Sequence, residues 1–233
     1  MSTPRYAIYF VPPPETSLYR FGASVIGYDC YTRCEIAFPP EPPLTGAGWM
    51  KVTEPARIYG FHATVKAPFH LAEGADESGL ERKLRAFAKR ATATADLVVK
   101  LDLMKDFIAF VPQGPSPALG ALAERCVVDL DEFRAPLTQD ERHRRSEAGL
   151  SPRQAAHLER WGYPYVFEDF RFHMTLTGAL GDSDRGIVFD YLQRLLDHAD
   201  VAETVAVDRL CLLRQDWPGA RFRMVSVAKL GGA

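Results

Sequence analysis

One short pattern occurs twice in this chain, and it constrains the fold more than any other feature. Tyr59-Gly60-Phe61-His62-Ala63-Thr64-Val65-Lys66 returns in altered form as Phe170-Arg171-Phe172-His173-Met174-Thr175-Leu176-Thr177. In both copies apolar and polar residues alternate, the two-residue period of a β-strand with one buried and one exposed face. Phe61, Ala63 and Val65 are expected to face a core, as are Phe172, Met174 and Leu176. The opposite faces then line up His62, Thr64 and Lys66 on one strand and His173, Thr175 and Thr177 on the other, with same-face neighbours roughly 6.5 to 7 Å apart. Such strands can bring two imidazoles and two hydroxyls to one cleft.

The elements around the two copies repeat as well. After the first motif the pattern predicts a helix from Glu77 to Ala95, with Leu80, Leu84 and Phe87 as its buried stripe, then strands over Asp96 to Lys105 and Asp106 to Pro112 joined at Lys105-Asp106. After the second motif strand (170 to 180) come a helix (184 to 199, with Ile187, Phe189, Leu192, Leu195 and Leu196) and strands at 203 to 213 and 221 to 230. The histidines stand 111 positions apart. The shared order around both motifs points to a duplicated α+β fold in one two-lobed domain spanning 1–233, with antiparallel sheets, outer helices and a central groove.

The remaining segments fit around these repeats. Arg5 to Val11 alternates as a strand and stops at Pro12-Pro13-Pro14, and a helix from Thr16 places Leu18, Phe21, Val25 and Ile26 on one face before ending near Gly27 and Asp29. Residues 38 to 57, rich in proline and glycine, read as a long loop with little regular structure, which delivers Arg57 and Tyr59 beside His62. Pro117 to Phe133 is helical, with Leu119, Leu122, Cys126, Val127 and Leu130 inward. Residues 135 to 164 form a polar excursion between the repeats. Thr138 with Glu141, and Ser151 with Gln154, have capping-box spacing, so two short helices are expected there.

Composition excludes several classes. With 47% hydrophobic and 25% charged residues the chain is ordinary globular material, and a formal charge of −2 argues against a broad basic surface for duplex binding. No stretch reads as a signal peptide or a spanning helix, so a cytoplasmic location without membrane association is expected. Cys30, Cys34, Cys126 and Cys211 are too scattered for a disulfide framework and read as reduced structural thiols, the first two at helix-face spacing. His70, His143, His157 and His198 read as surface or packing histidines. The charge runs Glu81-Arg82-Lys83 and Arg142 to Arg145 read as solvated helix faces.

Two histidines on opposite sides of a bound group supply one general base and one general acid near neutral pH, which suits in-line displacement at phosphorus. Threonine hydroxyls can donate to the non-bridging oxygens, where charge must be stabilised. No cofactor is expected. Neither motif holds a carboxylate, and the chain has no His-x-x-x-His or Cys-x-x-Cys pair, so a zinc or two-metal site is disfavoured.

The paired motifs on strands of a repeated α+β lobe resemble the 2H phosphoesterase superfamily. The fuller strings Tyr-Gly-Phe-His-Ala-Thr-Val-Lys-Ala-Pro-Phe at 59 to 69 and Phe-Arg-Phe-His-Met-Thr-Leu-Thr-Gly at 170 to 178, with Arg5-Tyr6-Ala7 and Trp161-Gly162-Tyr163-Pro164-Tyr165, resemble the branch found with phosphonate-utilisation genes. That resemblance implies catalysis by His62 and His173 and phosphate binding by Thr64 and Thr175. It also implies a small-molecule phosphodiester as the partner, a sugar cyclic phosphate of phosphonate breakdown among them. The two motifs are nearly equivalent and leave the roles of acid and base unassigned. Arg57, Tyr59, Lys66, Arg171 and Tyr165 are candidates for substrate contact, though packing or solvated roles suit the same residues. Strand parity places Lys66 beside His62 and Arg171 beside His173 provided no bulge intervenes. Two further readings stay open: an enzyme acting on RNA ends, at 2′,3′-cyclic phosphates or a 2′–5′ linkage, and a module that binds a nucleotide or phosphate without turnover. The 38–57 loop and the 135–164 excursion are expected to wall the substrate pocket, and for the excursion a solvated hairpin or an oligomer contact is the competing expectation.

Overall fold

Eight strands hydrogen-bond into one antiparallel sheet whose order shows how the repeats are combined. The computed structural model describes residues 3–147, 149–199, 201 and 204–231. The strands are β1 (Arg5–Phe10), β4 (Ala63–His70), β5 (Leu97–Met104), β6 (Phe107–Pro112), β7 (Met174–Thr175), β8 (Thr204–Val205), β9 (Arg209–Gln215) and β10 (Arg223–Lys229). A separate two-stranded ribbon pairs β2 (Tyr28–Asp29) with β3 (Cys34–Glu35). The large sheet runs β10-β9-β1-β4-β7-β6-β5-β8, so the motif strands β4 and β7 are neighbours at its centre.

Each half of the sheet takes strands from both repeats. The β5–β6 hairpin follows β4 in the chain but pairs onto β7, while β9 and β10 follow β7 yet join β4 through β1. Each long helix packs on the half of the sheet that holds its own motif strand: α3 (Glu77–Arg90) covers β9 and β10 on the β4 side, and α7 (Asp182–His198) packs on β5 on the β7 side. The α+β class with an antiparallel sheet and outer helices is therefore as expected, and the interleaving of the halves is a tertiary feature.

Local chemistry explains most boundaries. Thr16 caps α1 (Ser17–Ile26) by accepting from Tyr19 N at 3.2 Å, and Gly27, at φ 71°, closes the helix in the left-handed region that glycine tolerates. Asp76 caps α3, whose Leu80, Leu84 and Phe87 are fully buried, each worth roughly 1.5 to 3 kcal/mol by burial. Lys105, at φ 60°, turns the β5–β6 hairpin. α4 (Pro117–Asp129) continues into a 3₁₀ turn at Asp131–Phe133 and buries Leu119, Leu122, Cys126, Val127 and Leu130. Both capping boxes form, at the starts of α5 (Gln139–Ser146) and α6 (Pro152–Trp161).

Several expectations need correction. Residues 38 to 57 are not a structureless loop, because α2 spans Gly46–Arg57. Thr45 caps it, Trp49, Thr53, Ala56 and Arg57 form its buried stripe, and Trp49 Nε1 donates to Val25 O at 3.2 Å. The proline at position 55 falls in the last turn. The stripe of α7 is Val188, Tyr191 and Leu192, and Ile187 is exposed. Cys30 and Cys34 flank the tight β2–β3 turn and lie on no helix face. The second motif is regular only over Met174–Thr175. The expected strand start at 203 lies outside the described residues. No described helix is long and apolar enough to cross a membrane.

Candidate active site

β4 and β7 meet through one antiparallel pair, Ala63 opposite Met174. Carrying that register one residue each way sets His62 across from Thr175 and Thr64 across from His173, all on one face. The two histidines are then diagonal neighbours, about 7 to 8 Å apart by strand geometry, which leaves room for a phosphate between them. Electrostatic coupling between the two rings agrees with that proximity.

Both imidazoles are held by the same device. His62 Nδ1 lies 2.8 Å from Gly60 O, and His173 Nδ1 lies 2.8 Å from Arg171 O, each the carbonyl two residues upstream. A carbonyl oxygen only accepts, so Nδ1 carries the proton in both rings and Nε2 is the nitrogen left with a lone pair. At the first site Thr64 Oγ1 sits 3.2 Å from His62 Nε2 and donates to it when the ring is neutral. Among the described residues Thr175 Oγ1 has no hydrogen-bond partner.

The surroundings of the two rings differ. Tyr9, registered opposite Thr64 on β1, stacks on His62 with ring centroids 3.8 Å apart and planes at 26°. Tyr59 lies 6.0 Å from His62 and stacks on Phe222. Burial, with a smaller repulsion from His173, pushes the His62 pKa down to about 4. His173 meets only the tilted ring of Phe107, at 5.7 Å, and burial lowers its pKa as well.

A cleft of about 630 Å³ opens over this face. His62, Thr64 and Thr175 line its floor, Tyr9, Tyr59, Tyr163 and Phe107 its sides, and Arg5, Arg144 and Arg145 one end, with no carboxylate in the lining. Such a donor set suits an anion rather than a cation. α2 contributes Pro55 and Ala56, and Gly178 is held against it: Gly178 N donates to Val52 O at 2.7 Å, and a Cβ there would stand 2.6 Å from Pro55.

Of the candidate contact residues, only Tyr59 lines the cleft. Arg57 is buried, donating to Ile26 O at 2.6 Å and to Thr53 Oγ1 at 3.1 Å, with its guanidinium 4.7 Å over Phe38. Lys66 is buried on the opposite side of the sheet. A bulge between Thr64 and Lys66, where Tyr9 and Ile8 are their consecutive partners, reverses the parity, and Lys66 Nζ donates to Val127 O at 3.0 Å and meets Asp131 at 3.3 Å. The Arg171 side chain bonds Glu168 O and Phe170 O, so this residue serves His173 through its carbonyl. Tyr165 is exposed and packs edge-on against Tyr163, which is the tyrosine in the cleft.

Arg5, Tyr9, Phe107, Arg144, Arg145 and Tyr163 were not candidates. Arg5 and Tyr9 share strand parity on β1, which was readable; that β1 pairs beside β4 was not. Arg144 and Arg145 reach the cleft because the excursion is clamped to the end of β4: Asp131 gathers Lys66, Arg134 and Arg160, and Arg142 pairs with Glu159 across α5 and α6.

The sequence profile of a family described as "Protein of unknown function (DUF1045)" matches residues 64–223. A protein of Janthinobacterium sp. (strain Marseille) named Ribose 1,5-bisphosphate phosphokinase PhnN is 40% identical over 224 residues, which cover 95% of this chain and 49% of that protein. A protein of the same name from Laribacter hongkongensis (strain HLHK9) is 36% identical over 225 residues, 94% of this chain and 50% of that protein. The chain spans about half the length of the curated relatives it matches. Among solved structures, E. coli LigT complexed with 3′-AMP is similar at 14% identity, 98% and 99% coverage and a TM-score of 0.44. A protein described as a phosphoesterase is similar at 14% identity, 99% coverage of both chains and a TM-score of 0.43.

Proposed function

This chain belongs to the DUF1045 family, and we propose that it is a metal-independent phosphodiesterase opening a small cyclic phosphodiester with His62 as general base and His173 as general acid. The observation that carries the proposal is the matched pair of Nδ1 to carbonyl bonds, which leaves Nε2 as the nitrogen of each ring that would serve a phosphate lying between these diagonal neighbours. Water attacks phosphorus and gives its proton to His62 Nε2. The bond from phosphorus to the ring oxygen breaks, and that oxygen takes the proton from His173 Nε2. The product is a phosphomonoester, and the pair is restored when His62 releases its proton to solvent and His173 takes one up from it. Thr64 and Thr175 donate to the non-bridging oxygens as charge grows there.

The division of roles follows from the surroundings. His62, stacked and desolvated, stays neutral to about pH 4 and so is ready to accept a proton. His173 has no stacked ring, and an anionic phosphate beside it favours its protonated form. The sugar cyclic phosphate of phosphonate breakdown remains the substrate we favour. The curated relatives carry a name that specifies a ribose bisphosphate, and this chain contains no G-x-x-x-x-G-K-S/T string for the kinase activity in that name. A nucleoside 2′,3′-cyclic phosphate is the second reading, supported by the tyrosines in the cleft walls, which present faces for base stacking.

The test is hydrolysis of a pentose cyclic phosphate and of a nucleoside 2′,3′-cyclic phosphate by purified protein in EDTA, followed by phosphorus NMR. Turnover of the pentose compound, lost in His62→Ala and His173→Ala, is the expected result. Binding of both compounds without turnover would overturn the enzyme reading in favour of a phosphate-binding module.

A further inference from the structure

The two motif histidines differ in what stands behind them. His62 leads directly into β4, eight residues long and paired to β1 along its length, whereas His173 leads into the two residues of β7. The segment before His173, from Val166 to Phe172, runs outside the sheet as a 3₁₀ turn at Phe167–Asp169 and an irregular stretch. Its backbone closes on itself, with Asp169 N bonded to Val166 O at 3.1 Å and Phe170 N to Phe167 O at 3.0 Å. Phe167 has φ 54°, a left-handed conformation that a bulky side chain keeps only where its surroundings enforce it. This segment nonetheless carries the Arg171 carbonyl that accepts from Nδ1 of His173.

What enforces it is α6. Arg153 Nε and Nη2 donate to the two carboxylate oxygens of Asp169, both at 2.9 Å, a parallel fork that fixes direction as well as distance. Gln154 Nε2 adds a bond to Asp169 at 3.2 Å while its Oε1 accepts from Ser151 N in the capping box, so one amide joins the helix start to the turn. The Arg153 bonds, with help from Gln154, hold the Asp169 carboxyl below its ordinary range. His157 and Trp161 of α6 each pack edge-on against the ring of Phe167, with centroids 5.3 Å apart. α4 also packs on the turn, and the Arg171 guanidinium donates to Glu168 O and Phe170 O within it. The other end of α6 is tied down through Arg160 to Asp131, which also takes Lys66 of β4.

We infer that Asp169, gripped by Arg153 and Gln154, is a positioning residue for His173, and that α6 is the strut on which this ring is set. The route is short: the fork fixes Asp169, Asp169 ends the turn, and the carbonyl two residues on holds Nδ1. A carbonyl that shifts releases both the tautomer and the orientation of the imidazole, and a displacement of about 1 Å at a reacting group costs on the order of 100-fold in rate. The effect therefore falls on kcat and leaves KM alone. For its consequence on rate the inference rests on the phosphodiesterase reading; for the placement of the ring it does not.

The experiment compares Arg153→Ala and Asp169→Ala with wild type and with the control Arg142→Ala, which breaks the Arg142–Glu159 pair of the same excursion without reaching the turn. Arg153 is 57% exposed, so its removal leaves packing intact. On a cyclic alkyl phosphodiester kcat should fall by about 10-fold in Arg153→Ala and by about 10 to 100-fold in Asp169→Ala, with KM within about 2-fold of wild type. Arg142→Ala should match wild type. Asp169→Ala added to His173→Ala should cost no further activity, because a residue that acts only through the histidine then has nothing to act on. Wild-type kcat in both single variants, or a further loss in the double one, would overturn the inference. Long-range proton–nitrogen NMR of His173 in the ligand-free protein needs no turnover: wild type should hold one tautomer, with the proton on Nδ1, and Asp169→Ala should show two in exchange. If wild type opens no diester, the phosphodiesterase reading falls and the tautomer measurement alone decides. A single Nδ1–H tautomer retained in Asp169→Ala sinks the positioning role in either case.

Discussion

His62 lies under the ring of Tyr9 with 3.8 Å between centroids, whereas His173 meets Phe107 tilted at 5.7 Å. The two segments share a motif and a hydrogen-bonding device, yet the ring of the first copy is walled by aromatic rings from β1 and the 57–61 turn, and that of the second meets only Phe107 and does not line the cleft. Thr64 is tied to its own histidine, and Thr175 is free to bind. A duplicated motif thus arrives with nearly equal chemistry and is made unequal by its neighbours. That inequality is what an acid and a base require, because two groups with the same proton affinity cannot easily be held in opposite states.

The largest expected effect tests whether the pair works as a unit. His62→Ala and His173→Ala should each lower turnover of a cyclic alkyl phosphodiester by about 10²- to 10⁴-fold, with the double variant little worse than either single one. With a nitrophenyl diester, whose leaving group needs little protonation, the loss in His173→Ala should shrink by about 10-fold or more while the loss in His62→Ala persists. Equal losses on both esters would reverse or erase the assigned roles.

Next come the hydroxyls. Thr64→Val and Thr175→Val should reduce turnover by roughly 10 to 1000-fold, the range for one oxyanion donor. Thr175→Val should be the more damaging for kcat, since Thr64 divides its hydrogen bond between ring and substrate. Steady-state kinetics of the two variants checks the order.

The pH dependence of stability separates the copies without any substrate. The folded-state pKa of His62, about 4, lies below the ordinary 6.5, so between these values the unfolded chain binds a proton that the folded chain refuses. Stability from this group is complete above pH 6.5 and declines as pH falls toward 4, by on the order of 3 kcal/mol. Urea unfolding at pH 7 and pH 4.5 should show this slope in wild type, strongly reduced in His62→Gln and less so in His173→Gln.

The smallest effect probes the carbonyls that orient the rings. Gly60 has φ 78° and a Cβ there would stand 2.9 Å from the Cβ of Cys30, so Gly60→Ala should cost about 2 kcal/mol and also disturb His62. Arg171, the matching residue of the second copy, has no left-handed backbone and an exposed side chain, and Arg171→Ala should stay within about 0.5 kcal/mol of wild type in thermal unfolding.

Much of this was legible residue by residue. The start and buried stripe of helix α3, the Lys105-Asp106 turn and both capping boxes follow from short-range chemistry and appear where the pattern puts them, although α3 ends at Arg90 rather than Ala95. α2 was hidden because prolines and glycines before Gly48 and at Pro55 outweighed the four-residue spacing of Trp49 and Thr53, a signal that only a buried stripe makes plain. Lys66 failed for a different reason: a single bulge between it and Thr64 turned its side chain to the Asp131 cluster, and no local feature of the sequence announces a bulge.

By itself the sequence determined the two His-x-Thr sets and their local order, because a two-residue strand period acts over a few residues of one chain. It determined the α+β class for the same reason, through the repeated run of motif strand, helix and two strands. Only the tertiary structure decided which hairpin pairs with which motif strand, since pairing depends on contacts between segments far apart in the chain. The same long-range docking decided that Tyr9 stacks on His62 while His173 has no stacked ring, and that Arg144 and Arg145 of the excursion, clamped through Asp131 and Lys66, meet Arg5 of the first strand in one cleft.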